Sequence, residues 1–123
     1  MEKPTVLIVE DKFIRAADLA NQLEKMGFEV TGTAATAAEA IDIASQYCPQ
    51  LVLMGVQLKG ESDAIKTALA IQELCDKPLV IFLSDRRQTA VIDAAALPGP
   101  YCVVSRPFMM SDLVYHINNL LNK

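Results

Sequence analysis

Residues 5–33 form the sequence TVLIVEDKFIRAADLANQLEKMGFEVTGT, in which two β-branched apolar runs flank a helical pattern. Thr5–Glu10 predicts a strand, Lys12–Met26 a helix and Glu29–Thr33 a second, shorter strand. The apolar side of the helix is predicted to consist of Phe13, Ile14, Ala17, Ala20 and Leu23. Gly27 is predicted to end the helix, because glycine commonly follows a helix C-terminus. This stretch therefore predicts a strand–helix–strand unit.

The same alternation of strand and helix continues to the end of the chain. A helix is predicted from the capping box Thr36–Glu39 to Tyr47, followed by a strand Leu51–Met54 and a loop Gly55–Glu61. A helix with Ala64, Ala68, Ile71 and Cys75 on one stripe comes next, followed by a strand Leu79–Leu83. The last predicted elements are a helix Gln88–Ala96, a strand Tyr101–Ser105 and a helix capped by Ser111. Largely apolar strands, each followed by a helix, predict a parallel sheet covered on both faces. Residues 1–123 are thus expected to form one α/β domain, a doubly wound five-stranded sheet.

Composition excludes several classes of protein. A net charge of −4 with scattered basic residues argues against nucleic-acid binding by this chain alone. The apolar runs are too short for a transmembrane helix, and we expect no signal peptide at the N-terminus. Three widely spaced cysteines, Cys48, Cys75 and Cys102, are expected to be reduced and mostly buried. These features predict a cytoplasmic protein.

The residues that follow the strands are the candidate functional residues. In open parallel sheets the ligand site lies at the carboxyl ends of the strands. Those positions hold Glu10-Asp11, Gly55, Ser84-Asp85 and Arg106. Two adjacent carboxylates favour a divalent cation that relieves their repulsion, although Asp11 is also suited to capping the helix that follows.

Four segments resemble the receiver domain of bacterial response regulators. They are VLIVED at residues 6–11, PQLVLMGVQLKGESDAI at 49–65, FLSD at 82–85 and SRPF at 105–108. The resemblance covers essentially the whole chain in order. It implies a flavodoxin-like (βα)5 fold with strand order 2-1-3-4-5. It also implies a site where an acidic pair and a central aspartate bind Mg²⁺, and that aspartate accepts a phosphoryl group from a partner kinase.

Several positions match the family's pattern. The resemblance assigns Glu10 and Asp11 to the acidic pair and Ser84 to the switch hydroxyl. It assigns the metal-binding backbone carbonyl to Gln57. Pro107 matches the proline after the family's lysine. The loop after the third strand matches at Leu58, Gly60 and Asp63.

Four departures fall on the functional positions of this family. Gly55 replaces the acceptor aspartate, and Arg106 replaces the lysine that contacts the phosphoryl group. Val103 stands where an aromatic residue usually moves on activation. Asp85 follows Ser84 where a small residue is usual, and a displaced acceptor role for it is disfavoured because it follows the wrong strand.

These departures predict a degenerate pocket with no catalytic residue and no functional metal. Glycine has no oxygen to attack phosphorus, and Mg²⁺ loses one of three carboxylates, leaving Glu10, Asp11 and the backbone of Gln57. Our hypothesis is that Arg106 pairs with Glu10 or Asp11 and fills the space at position 55. The alternative is that Arg106 points into solvent.

The sequence thus predicts a phosphorylation-independent interaction module without a cofactor. The alternative function is an ordinary phospho-accepting receiver whose aspartate was changed to Gly55. An enzyme or flavin binder of the same fold is disfavoured, because Glu10-Asp11-Lys12 is not a phosphate-binding loop. His116 has no neighbouring ligand in the sequence. The family resemblance implies a protein partner, a kinase or output domain, on the face of predicted helix 4, strand 5 and predicted helix 5.

Overall fold

A computed structural model describes residues 3–55, 64–84, 97–105 and 107–121 of the chain. Within these ranges the elements in chain order are β1 (Thr5–Val9), α1 (Phe13–Lys25), β2 (Glu29–Ala34), α2 (Ala37–Gln46), β3 (Leu51–Gly55), α3 (Ala64–Leu74), β4 (Leu79–Ser84), β5 (Tyr101–Ser105) and α4 (Met110–Leu121). The predicted loop at 55–61 and the predicted helix at 88–96 fall mostly or entirely outside the described residues. The last predicted helix corresponds to α4.

The five strands form one parallel sheet in the order β2-β1-β3-β4-β5. This order confirms the prediction of a doubly wound, flavodoxin-like sheet. The three central strands are buried along almost their whole length, because helices cover both faces of the sheet. The order in which strands are added reverses at β1, because β2 lies on one side of β1 and β3, β4 and β5 lie on the other. Folds of this kind place their ligand sites at this point, between β1 and β3.

The hydrophobic core is divided by the sheet into two layers. One layer joins α1 and α4 to the sheet and includes Val6, Ile8, Leu19, Leu23, Leu53, Ile81, Leu113 and Ile117. The other joins α2 and α3 to the opposite face and includes Leu7, Val9, Ala40, Ala44, Val52, Ala68, Ile71 and Phe82. Neighbouring residues of each strand alternate between these layers, as the pleat of a β-strand requires.

The predicted apolar side of α1 is only partly confirmed. Leu23 is buried and Ala20 packs against the core, but Phe13 and Ile14 are 83% and 82% exposed. The other buried residues of the helix are Ala16 and Leu19. Both sets of residues have helical spacing, and Leu23 belongs to both, so periodicity did not distinguish them. The contact with the sheet selects the face whose smaller residues approach β1 and β2.

The predicted helix ends are partly confirmed. Thr36 caps α2, with its hydroxyl oxygen accepting a hydrogen bond from the Glu39 N–H at 3.2 Å. Gly27 follows α1 with a φ of +96°, a conformation that favours glycine. The prediction that Ser111 caps the last helix is wrong. The N–H of Leu113 already donates to the Met109 carbonyl, so Ser111 lies inside the first turn of α4.

Gln72 connects α3 to the strands beside it, a role that the sequence did not reveal. Its side chain is buried, and its Nε2 donates hydrogen bonds to the carbonyl oxygens of Pro78 at 2.9 Å and Pro100 at 3.0 Å. Its Oε1 accepts a hydrogen bond from the Gly99 N–H at 3.1 Å. One amide thus satisfies three backbone groups that approach β4 and β5.

The prediction of three reduced cysteines is wrong for two of them. Cys48 and Cys75 form a disulfide, while Cys102 is a half-buried free thiol. The pair is separated by 27 residues in sequence, and its Cα atoms lie 5.6 Å apart. The sequence did not show this proximity because it results from the packing of α2 on α3.

Candidate functional site

The candidate site lies at the carboxyl edge of the sheet. Parallel pairing sets Val9 beside Met54, Gly55 beside Leu83 and Ser84 beside Ser105. The structure therefore brings Glu10, Gly55 and Ser84 to the same edge, although they are separated by up to 74 positions in sequence. Glu10 is held there by its backbone N–H, which donates to the Ala34 carbonyl at 2.8 Å.

The carboxylate of Glu10 occupies the space beside Gly55. A Cβ atom added at Gly55 would lie 2.5 Å from Glu10 Oε2 and 3.3 Å from the Val9 carbonyl oxygen. Non-bonded carbon and oxygen atoms rarely come closer than about 3.3 Å, so a side chain at position 55 requires the Glu10 carboxylate to move. Glu10 thus lies where the side chain of an aspartate would begin.

Arg15 is an ion-pair partner of the Glu10 carboxylate. The Arg15 Nη1 donates to Glu10 Oε1 at 3.5 Å, with side-chain exposures of 46% and 3% respectively. Arg15 lies in the first turn of α1, which directs it back toward the end of β1. The sequence interpretation missed this residue, although a cation one helical turn after an acidic strand end is a recognisable signal.

The hypothesis for Arg106 is only partly addressed by these contacts. Arg106 lies outside the described residues, so its pairing with Glu10 or Asp11 stays a prediction. The space immediately beside Gly55, which the hypothesis gave to the guanidinium, is taken by Glu10 Oε2 instead.

Asp11 follows Glu10 and is partly exposed. The sequence also allowed Asp11 to cap the N-terminus of α1, but the N-cap position is one residue further along the chain. The residue at the N-cap of α1 is Lys12, and no side-chain hydrogen bond caps the helix there. Asp11 is therefore the more accessible of the two acidic residues at this edge.

The two predicted switch positions lie on neighbouring strands. Ser84, the last residue of β4, is fully buried. Val103 lies in the middle of β5 and packs, partly buried, against the core layer formed with α2 and α3. Val103 fills part of that layer, and its side chain has no polar group that could form a new hydrogen bond on activation.

The other predicted site residues lie outside the described part of the chain. They are Gln57, Leu58, Gly60, Asp63 and Asp85, together with Arg106. Pro107 is described and lines a groove between α1 and α4 with Arg15 and Phe108. His116 is exposed on α4, where its ring contacts Tyr115 edge to face.

The donor set at this edge does not fit the magnesium site that the family implies. Mg²⁺ requires near-octahedral oxygen ligands at about 2.0–2.1 Å, usually including carboxylates that are free to reach it. Here position 55 supplies no carboxylate, and the Glu10 carboxylate is turned onto Gly55 and paired with Arg15. Only Asp11 among these three positions presents an accessible carboxylate.

Comparison with known families agrees with the architecture and with the motifs. The sequence profile of the response regulator receiver domain matches residues 6–118. The chain belongs to the receiver domain family. Receiver domains are signalling modules that interact with kinases or output domains.

The chain is similar to several regulatory proteins of bacteria. It is 33% identical over 109 residues to the transcriptional regulatory protein PdtaR of Mycobacterium tuberculosis, covering 89% of this chain and 52% of the relative. It is 27% identical to the chemotaxis protein CheY of Bacillus subtilis, covering 95% and 97% of the two chains. The chain therefore spans about half the length of PdtaR and nearly all of CheY.

A solved structure confirms the fold at the level of coordinates. The signal receiver domain of a modulated diguanylate cyclase from Desulfovibrio desulfuricans superposes with a TM-score of 0.86 at 28% identity, covering 98% of this chain and 95% of that chain. Among the described residues of the receiver domain, none of the helices has the length and apolar character needed to cross a membrane.

Proposed function

We propose that this receiver domain is a phosphorylation-independent protein-interaction module. The observation that carries the proposal is the Glu10 carboxylate lying against Gly55, in the space that an acceptor side chain would need. Position 55 therefore lacks a nucleophile, and its neighbour occupies the vacated space. The domain is proposed to keep the receiver fold for binding while having lost the phosphoryl-transfer chemistry.

The chemistry of phosphoryl acceptance supports this proposal. An acyl phosphate forms when a carboxylate oxygen attacks phosphorus, and the glycine at position 55 has only a hydrogen. Catalysis of phosphoryl transfer depends on positioning and on charge stabilisation by a metal. With one carboxylate missing and the Glu10 carboxylate paired with Arg15, we propose no functional Mg²⁺ and no other cofactor at this site. No catalytic role is proposed for the domain.

The proposed partner is another signalling protein, such as a kinase or an output domain. The predicted face includes β5 and α4, and it presents exposed apolar side chains at Tyr101, Met109 and Tyr115. Such groups favour a protein contact more than a nucleic-acid contact, and the net charge of −4 points the same way. We propose a cytoplasmic location, where kinases and output domains of this type act.

Beryllofluoride titration tests the proposed loss of phosphoryl acceptance. Amide spectra of the ¹⁵N-labelled native protein are recorded with Mg²⁺ alone and with Mg²⁺ plus beryllofluoride, which adds to an acceptor aspartate as a phosphoryl mimic. We expect no further shift on adding beryllofluoride. A saturable shift of amides around Glu10, Gly55 and Ser84 in the native protein would overturn the proposal.

Two matched variants show what remains of the site. Gly55→Asp restores the acceptor carboxylate, and Gly55→Asn places a side chain of the same size there without a nucleophile. Both displace Glu10 equally, so a beryllofluoride response in Gly55→Asp alone shows that the rest of the pocket is retained. Incubation with acetyl phosphate and intact-mass measurement tests the alternative function, an ordinary receiver whose acceptor aspartate was changed to Gly55. That alternative predicts that Gly55→Asp is phosphorylated and that the native chain is not.

A further inference from the structure

Cys48 and Cys75 lie at the amino edge of the sheet, opposite the candidate site. Cys48 lies between α2 and β3, and Cys75 directly follows α3. Their Cα atoms are 5.6 Å apart, inside the range of about 4.4–6.8 Å found across disulfides. The bond closes a segment of the chain that contains β3, with Gly55 at its end, and α3.

The two cysteine residues differ in their exposure to solvent. Cys48 is exposed on its loop, whereas Cys75 is 8% exposed and belongs to the core layer under α2 and α3. Thiol–disulfide exchange requires a thiolate to reach a sulfur atom directly. Cys48 is therefore the point at which an external thiol or disulfide reacts with this pair.

The helices that carry the pair also contact each other through apolar residues. Ala40 and Ala44 of α2 share a core layer with Ala68 and Ile71 of α3, so we expect them to stay packed when the bond is broken. The Sγ of Cys75 lies 3.5 Å from the carbonyl oxygen of Ala44, an acceptor within reach of a thiol at this position.

We propose that Cys48 and Cys75 form a reversible redox site in this domain, oxidised by exchange with low-molecular-weight disulfides and reduced by their thiols. This inference rests on the cytoplasmic location proposed above, because disulfides in reducing compartments are usually transient and redox-sensing. The exposure of Cys48 makes this pair accessible to small thiols and disulfides. The proposal does not rest on the chemistry of position 55. It succeeds or fails separately from the proposed loss of phosphorylation.

The exchange proceeds in two balanced steps. The Cys48 thiolate attacks one sulfur of the small disulfide, forms a mixed disulfide and expels one small thiolate. The Cys75 thiolate then attacks the Cys48 sulfur, closes the internal bond and expels the second small thiolate. Two protein thiols and one small disulfide become one protein disulfide and two small thiols, which take up the two protons released.

Cys102 supplies an internal control. It lies on β5, apart from the other two cysteines, and packs partly buried against the layer formed with α1 and α4. Desolvation by this burial raises the pKa of the Cys102 thiol above its ordinary value of 9.0, so little of it is thiolate near neutral pH. It is expected to remain a thiol throughout the exchange.

Redox titration of the native chain tests the proposal. The protein is equilibrated in glutathione buffers from fully reduced to fully oxidised, quenched with acid and labelled with a maleimide under denaturing conditions for peptide mass mapping. We expect Cys48 and Cys75 to lose the label together and to regain it on reduction without denaturant, while Cys102 stays labelled. Persistent labelling of Cys48 and Cys75 in the oxidised buffer, or a bond that dithiothreitol does not reduce in the folded protein, would overturn the proposal.

A variant pair keeps the test independent of folding defects. Closing a loop of this length constrains the unfolded chain, so reduction of the native protein is expected to lower its melting temperature by roughly 10 °C. The Cys102→Ser control should show the same shift. Cys48→Ser should melt at one temperature in both buffers, and a retained shift in that variant would show that another bond is responsible.

Discussion

Gly55→Ala, made with and without Glu10→Ala, tests the contact on which the proposed function rests. The added Cβ meets Glu10 Oε2 at 2.5 Å, so the carboxylate must retreat by about 1 Å to reach ordinary contact near 3.5 Å. The Glu10 side chain is 3% exposed, and its movement disturbs the ion pair with Arg15. Overpacking of this kind typically costs about 1–3 kcal/mol in the free energy of unfolding.

The backbone effect of the same substitution has the opposite sign. Gly55 ends β3 and does not have a positive φ, and replacing a strand glycine with alanine gains about 0.5–1 kcal/mol. In the native background the overpacking exceeds this gain, and we expect a net loss of about 1 kcal/mol. In the Glu10→Ala background the carboxylate is absent and only the 3.3 Å contact with the Val9 carbonyl oxygen remains, so Gly55→Ala should cost about 1 kcal/mol less there than in the native background.

Urea unfolding measures how the effect of Gly55→Ala on the free energy of unfolding differs between the two backgrounds. The chain has no tryptophan, so unfolding is followed by circular dichroism of the helices. With a slope of about 1–3 kcal/mol per M, a change of 1 kcal/mol moves the midpoint by roughly 0.3–1 M, which is readily resolved. The four proteins of the cycle give the coupling between positions 10 and 55 directly.

A matched variant distinguishes this contact from a general effect of charge. Asp11→Ala removes the neighbouring carboxylate, which is not among the closest atoms to the added Cβ. In that background Gly55→Ala should still destabilise the protein. Equal effects of Gly55→Ala in the native and Glu10→Ala backgrounds would refute the argument that Glu10 fills the acceptor position.

Three further substitutions test the described packing and the isolated thiol. Gln72→Leu removes three hydrogen bonds to backbone groups, of which the Pro100 carbonyl keeps another donor, the Val80 N–H. It should cost about 2–4 kcal/mol in urea unfolding, whereas the exposed Gln46→Leu should change stability by less than about 0.5 kcal/mol. Thr36→Ala removes the cap of α2 and should cost about 1 kcal/mol, and Thr36→Ser should recover most of it. Because burial raises the pKa of Cys102, its thiol in the unfolded chain ionises first, so the stability of the reduced protein should fall as the pH rises above 9.0. Cys102→Ala should lessen that fall, and the reduced native protein at pH 8 should be alkylated faster at Cys48 than at Cys102.

The fold was largely predictable because its signals are local and repeated. Four of the five strands are short apolar runs, and α1 and α2 carry the cap residues Gly27 and Thr36, which act within a few positions. The order of the strands followed from the resemblance to the receiver family. The errors, at α1 and at Ser111, arose where two helical registers fitted the same residues or where the first turn began earlier.

The candidate site was predictable only in its composition. The sequence showed that Gly55 lacks a carboxylate and that Glu10 and Asp11 end a strand. It did not show which atoms fill the vacated space, because Glu10 and Gly55 are 45 positions apart and meet only through the pairing of β1 with β3. Arg15 was missed although it lies only five positions from Glu10, since their contact also depends on how α1 leaves the sheet.

The sequence by itself determined the alternation of elements, the parallel sheet and the absence of a carboxylate at position 55. These properties depend on residue type and on spacings of a few positions. Only the tertiary structure decided that the Glu10 carboxylate lies against Gly55 and that Gln72 forms hydrogen bonds to the residues just before β4 and β5. It also decided that Cys48 is bonded to Cys75. Each of these contacts joins side chains that distant segments bring within a few ångströms, and such distances are set by the packing of helices on the sheet.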